Sequence, residues 1–226
     1  KIFKGEITLK DLSLGFNSNK TILFQRLNCT LPSGSITVIS GYNSSGKTSL
    51  CNSLIGLIQP VKGNILFNDI DIKNYNIKYL RRNISYVPQE IDLFNISIKD
   101  NIKINLDISS SNFQNDGFLL KAIKMVGLDD FINTLKNGLD TEVQDNGKNI
   151  PRGIKKRIAL ARAIICDGKI VILDEPTSSL DLDGLKKLYK ILNDFRALKK
   201  TIIIASHDQN ILKSAGIIID LSVKPI

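Results

Sequence analysis

The stretch Ser35-Ile36-Thr37-Val38-Ile39-Ser40-Gly41-Tyr42-Asn43-Ser44-Ser45-Gly46-Lys47-Thr48-Ser49 decides how this chain is read. Residues 35–39 make a short buried strand, and apolar spacing at Leu50, Leu54, Leu57 and Ile58 makes the following segment a helix. Between them, Gly41-x-x-x-x-Gly46-Lys47-Thr48 matches the P-loop pattern in the strand–loop–helix context it requires. The glycines let the backbone curl, so that N–H groups from Gly41 through Ser49, including Tyr42, Asn43, Ser44 and Ser45, face one set of phosphates. Lys47 would reach the β- and γ-phosphates, and the Thr48 hydroxyl can ligate Mg²⁺.

Further along the chain, Ile170-Val171-Ile172-Leu173-Asp174-Glu175 is an apolar strand ending in two carboxylates. Asp174 at the strand tip suits a Mg²⁺ contact, and Glu175 suits a general base that polarises an attacking water. His207, the single histidine, follows the apolar strand Thr201–Ala205 at the carboxyl end, where ligands bind in open α/β sheets. Ser178-Ser179-Leu180-Asp181 precedes a helix over 182–198, and there Asp181 also reads as an ordinary N-cap. Strand alternating with helix predicts an α/β fold with a parallel sheet covered on both faces. Residues 97–147 differ, reading as helices (Ile98–Ile102, Phe118–Val126) joined by polar loops, which suggests an inserted lobe. The first forty residues are strand-like, alternating at Ile7 and Leu9 and again at Leu12, Leu14 and Phe16.

Composition restricts the alternatives. The chain has 226 residues, 42% hydrophobic and 23% charged, enough for a sizeable core in one domain or two tightly joined lobes. No run approaches the roughly 18–20 apolar residues needed to span a bilayer. The chain begins at Lys1 without a Met and shows no signal peptide, so it is expected to be a segment of a longer polypeptide. The net charge of +9 could mean an acidic partner, but the lysines are scattered and many lie between helix positions, as a solvated face. Cys29, Cys51 and Cys166 are far apart and lack Cys-x-x-Cys pairing, which predicts buried free thiols in a reduced compartment.

Taken together, these motifs resemble the ATP-binding cassette (ABC) family along essentially the whole chain. The resemblance implies a P-loop NTPase of the ABC ATPase fold: a parallel-sheet RecA-like core, an N-terminal antiparallel β subdomain and an inserted α-helical subdomain. It places one such domain over residues 1–226, with 1–96 and 148–226 as β subdomain plus core. Residues 97–147 would be the helical subdomain, its signature helix continuing to about 166. It also implies ATP and Mg²⁺, an adenine-stacking role for Phe16, and a γ-phosphate contact for His207. Tyr86-Val87-Pro88-Gln89 resembles the family's glutamine loop, in which Gln89 would touch Mg²⁺ and the lytic water. Leu93–Ile98 and Asp140–Gly147 are similar to segments of exporters whose membrane domain and ATPase share one polypeptide, although Asp145 stands where a glutamate is usual. The expected setting is therefore the cytoplasmic side of a membrane, with a membrane domain on the same polypeptide and no nucleic acid. A soluble ABC-type ATPase acting on DNA is the alternative, but it would carry a long coiled-coil or zinc insert between Gln89 and Gly153.

One motif departs from the family pattern. Aligning Arg157-Ile158-Ala159-Leu160-Ala161-Arg162-Ala163 with the family's signature helix puts Ile150-Pro151-Arg152-Gly153-Ile154 on its Leu-Ser-Gly-Gly-Gln segment. Pro151 offers neither a hydroxyl nor an N–H in place of the serine. Arg152 replaces a glycine, and only Gly153 is retained. Losing one preorganised donor at a developing charge typically costs roughly 10²–10³ in rate. The signature acts in trans, so Pro151, Arg152, Gly153 and Asp181 would serve a nucleotide held by a second ABC domain. In a heterodimer one site would be impaired; in a homodimer both would be.

Overall fold

In the alternation of the opening strand, apolar positions change phase between Leu9 and Leu12. The computed structural model, which describes residues 3–16, 21–104, 106, 116–148 and 150–222 and not the side chains of 16 and 21, gives the reason. Strand β1 (Ile7–Phe16) pairs antiparallel with β2 (Thr21–Leu31), and its register shifts between Leu9 and Leu12. A bulge there inserts one extra residue, so that Ile7, Leu9, Leu12 and Leu14 all point inward and are buried. On its other edge β1 pairs with β4 (Lys62–Phe67), which pairs with the two-residue β5 (Ile70–Asp71), giving the antiparallel order β2-β1-β4-β5.

The second sheet is ordered β6-β7-β8-β3-β9, from β6 (Ile84–Val87), β7 (Ile170–Asp174), β8 (Thr201–Ala205), β3 (Ile36–Ser40) and β9 (Ile217–Asp220). The pairs β7–β8, β8–β3 and β3–β9 are all parallel. Every residue of β7 and β8 is buried, as near-continuous apolar runs require when both faces of a parallel sheet are covered. Helix α1 (Lys47–Leu54) packs against β7 and β8. It is shorter than its apolar spacing predicts: Ile55 caps it, Gly56 turns left-handed at φ +70°, and Leu57 is left 60% exposed.

The chain divides into two compact units, Lys1–Ile84 with Gly168–Glu175 and Phe195–Ile226, and Ser85–Asp167 with Pro176–Asp194. The second unit thus begins before residue 97 and takes in more than the expected 97–147 lobe. It holds α3 (Ile98–Lys103), α4 (Asp116–Val126), α5 (Asp129–Asn133), α6 (Arg152–Cys166) and most of α7 (Leu182–Ala197). Helix α6 is its spine, with α3 and α4 packed on it. Helices α2 (Ile77–Arg82) and α8 (Gln209–Ser214) complete the first unit. The three cysteines are free, but only Cys51 is fully buried; Cys29 and Cys166 are half-buried, although Cys29 pairs with the inward-facing Leu9. The solvated-lysine reading is also incomplete, since Lys47, Lys103, Lys156 and Lys200 are buried.

Gly63 lies opposite the β1 bulge at φ +80°, where an added Cβ would land against the carbonyl oxygens of Lys10 and Asp11. Gly63→Ala should therefore lower stability by about 2 kcal/mol and the thermal midpoint by about 4–8 °C, measurable by scanning calorimetry.

Candidate nucleotide and signature sites

The parallel register brings three strand ends to one level, for Ile39 and Asp174 are both paired with Ala205. The P-loop leaves β3 there. Gly41 adopts φ +149° and Gly46 φ +105°, and an added Cβ on Gly46 would meet the side chains of Leu23 and Phe24 at 3.3 Å. Ser45 N–H donates to the Tyr42 carbonyl at 3.1 Å, closing the turn. Tyr42, Asn43, Ser44 and Thr48 are exposed, while Ser49 is half-buried. Lys47 is 7% exposed and folds back over the loop, its Nζ donating to the carbonyls of Gly41 at 2.9 Å and Tyr42 at 3.2 Å.

Asp174, at the tip of β7, is wholly buried. Its charge reaches α1: burial first, and then the Asp174 carboxylate, holds the Cys51 thiol well above its ordinary pKa. Glu175 follows in a left-handed conformation at φ 44°, with its N–H on the Ala205 carbonyl at 2.9 Å. That backbone is sparsely populated for a residue bearing a Cβ, and such strain collects where a side chain has to be aimed. The buried Glu175 carboxylate lies 3.7 Å from Lys47 Nζ and 3.3 Å from His207 Nδ1. His207 itself is largely exposed, just beyond β8. Lys47, Glu175 and His207, far apart in sequence, thus form one cluster at the lip of the P-loop. Phe16 ends β1 opposite Thr21, and its side chain lies outside the described residues.

In the second unit, Gln89 is exposed two residues beyond β6. The two exporter-like segments pair with each other: Ile98 N–H donates to the Thr141 carbonyl and Val143 N–H to that of Ile96, both at 3.0 Å. Asn146 N–H adds a bond to Asn95 Oδ1 at 2.8 Å. Pro151 is the N-cap of α6, with no side-chain cap, and its carbonyl accepts from Lys155 N at 3.0 Å. The helix starts at the exposed Arg152. Gly153 has a steric reason to persist: an added Cβ would lie 2.8 Å from the Ser179 carbonyl oxygen. Asp181 caps α7 through Gly184 N at 2.7 Å and pairs with Arg157 Nη2 at 2.7 Å, so its N-cap role is present alongside any other.

Sequence reasoning missed Lys156 and Arg157. Both are buried on α6, and Arg157 Nη1 also donates to the carbonyls of Gly127 at 2.7 Å and Val126 at 3.2 Å. Three consecutive cations, Lys155 to Arg157, directly ahead of the apolar run Ile158–Ala161 were the available signal.

The fold and this cluster define the class, a P-loop nucleotide-binding domain. The ABC transporter family model matches residues 24–178, and the chain belongs to that family. It is 35% identical over 219 residues to ABC transporter B family member 26, chloroplastic, of Arabidopsis thaliana, covering 95% of this chain and 30% of that protein. It is 32% identical over 216 residues to the ATP-dependent lipid A-core flippase of Wigglesworthia glossinidia brevipalpis, covering 96% and 36%. The structure of a bacterial Atm1-family ABC exporter with ATP bound superposes with a TM-score of 0.88 at 25% identity, covering all of this chain and 39% of that one. The fold is therefore the ABC ATPase fold, and the chain spans about a third of the length of these relatives. A DNA-acting ATPase finds no support in these matches. Among the described residues no helix is long and apolar enough to cross a membrane.

Asp181, through the Gly184 N–H and then Arg157, and Asp183, chiefly through Lys187, are held below the ordinary aspartate range. Lowered carboxyls stabilise the fold above the unfolded pKa of about 4 and lose that contribution as the pH falls. Arg157→Met should destabilise the domain at neutral pH by about 2–3 kcal/mol through its lost carbonyl bonds. In denaturant titrations the gap from the parent should narrow below about pH 4, as both carboxyls protonate.

Proposed function

We propose that this chain is the ATP-binding and hydrolysing domain of an ABC exporter, acting at the cytoplasmic side of a membrane and joined to a membrane domain on the same polypeptide. The observation that carries the reading is the buried Glu175 carboxylate, held between Lys47 and His207 at the P-loop. Support also comes from the motif set and from similarity, over nearly all of this chain, to part of an ATP-dependent lipid A-core flippase and of an Atm1-family ABC exporter.

The loop suits a phosphate chain. The Ser45 hydroxyl is buried with no hydrogen-bond partner among the described residues, and Lys47 directs its charge at main-chain carbonyls that a polyanion would displace. Gly41, Tyr42, Asn43, Ser44, Ser45, Gly46, Lys47, Thr48 and Ser49 hold the phosphates, and Phe16 stacks on the adenine. The oxygens of Thr48, Asp174 and Gln89 are the hard donors Mg²⁺ takes. When bound, the ion neutralises phosphate charge.

Glu175 accepts a proton from the attacking water, and its environment suits a general base. Lys47 and His207 border the carboxylate, and the strained backbone aims it. His207 orients that carboxylate and contacts the γ-phosphate. Glu175→Gln should retain ATP binding and lower hydrolysis by about 10²–10⁴-fold, read by equilibrium nucleotide binding and phosphate release. Loss of binding, or an unchanged rate, would overturn Glu175 as the base.

A second ABC domain, in a homodimer or a heterodimer, would receive Pro151, Arg152, Gly153 and Asp181 against its nucleotide. Without the serine hydroxyl, and with a bulky guanidinium in place of a glycine, the site completed by this segment binds ATP and hydrolyses it slowly. Restoring Ser and Gly together (Pro151→Ser with Arg152→Gly) should raise the ATPase rate of the dimerised domain severalfold. No change, or a fall, would show that these residues do not impair the site.

A further inference from the structure

The Lys156 side chain is among the largest that are fully buried, at 2% exposure, and it lies in the first turns of α6. Its Nζ donates to the Pro88 carbonyl at 3.2 Å and to the Gln89 carbonyl at 3.3 Å. A buried ammonium is tolerated only where hydrogen bonds replace its hydration, and an aliphatic side chain would be the more stable occupant of a site needing packing alone. Here the charge meets two successive carbonyls just beyond the end of β6, where Pro88 has no N–H to continue a strand ladder.

The same loop borders a cavity of about 430 Å³ lined by Gln89, Glu90, Asp92, Arg152 and Ser179 among others. On that side, open space stands where packing would otherwise fix the main chain. The neighbouring Arg157 ties α6 to Asp181 and to the carbonyls of Val126 and Gly127. Two consecutive buried cations, about 100° apart around the helix, thus grip different loops of one unit.

We infer that Lys156 is a positioning residue that fixes the main chain of Gln89 to the signature helix, so that the glutamine loop and that helix move as one piece. The inference rests on the reading of Tyr86–Gln89 as the glutamine loop of an ABC ATPase. Gln89 then presents its side chain from an anchored backbone, and a shift of either element is passed directly to the other.

The test compares Lys156→Met, which keeps the length and removes the donors, with Lys156→Arg, which keeps charge and donors. If the Met variant does not fold, Lys156→Gln replaces it. Hydrogen exchange of the amides of residues 89–92 in the nucleotide-free chain should rise roughly tenfold in the Met variant, with α4 and β8 unchanged and the Arg variant close to the parent. With ATP present, the Mg²⁺ concentration that half-saturates nucleotide binding should rise severalfold, as in Gln89→Ala, and the double variant should be no worse than the worse single one.

Unchanged exchange at 89–92, a uniform rise across the unit, or additive effects with Gln89→Ala would overturn the positioning role. Failure of the parent chain to bind ATP would instead overturn the proposed function, while the exchange comparison would still decide whether Lys156 anchors the loop.

Discussion

The parallel hydrogen-bond register of β3, β8 and β7 is the constraint on which the P-loop end of the domain depends. Because Ile39 and Asp174 are both opposite Ala205, the residues that follow each strand emerge side by side. The P-loop, Glu175 and His207 come from distant parts of the chain, yet they meet at one point through Lys47 and the Glu175 carboxylate. A one-residue slip of β7 would turn Asp174 to the opposite face of the sheet and undo the cluster. The all-buried apolar composition of β7 and β8 protects that register, since any slip would have to break a ladder closed to water.

Around that register the electrostatics are local. Glu175 is a buried carboxylate, a costly species unless paired, and its ammonium partner is the same Lys47 whose other bonds go to loop carbonyls. Lys47 therefore serves two groups at once, the loop carbonyls and the Glu175 carboxylate. A ligand bringing several negative charges would compete for it on both counts.

The second unit also buries its cations among acceptors. Helix α6 has an apolar face for α3 and α4, but its first turns carry Gly153, pressed against the Ser179 carbonyl, and then Lys156 and Arg157, each buried among carbonyl oxygens. The unusual Pro151-Arg152 pair stands ahead of these contacts, at a helix start that accepts Pro readily and leaves Arg152 exposed. The departure from the family pattern therefore falls where the fold itself makes least demand, and the retained glycine falls where it makes most.

Much of this was legible in the sequence. The strand–loop–helix context of Gly41–Thr48, the acidic end of β7 and the place of His207 after β8 are local patterns, and local patterns record backbone needs and hydrophobic period directly. The break in alternation between Leu9 and Leu12 was visible too, but only pairing with β2 and β4 showed it to be a bulge. The early end of α1 at Leu54 was hidden, because a left-handed Gly56 overrode an apolar spacing that continues past it. The roles of Lys156 and Arg157 were hidden for a deeper reason. A lysine or arginine in a helix looks solvated until one knows which carbonyl oxygens other segments bring to it, and those partners lie about thirty to seventy residues away in the chain. The sequence by itself determined the fold class, the phosphate loop and the acidic strand tip. Tertiary structure alone decided which charges are buried and what they hold, because burial and hydrogen-bond partnership are properties of packed neighbours and not of the residue.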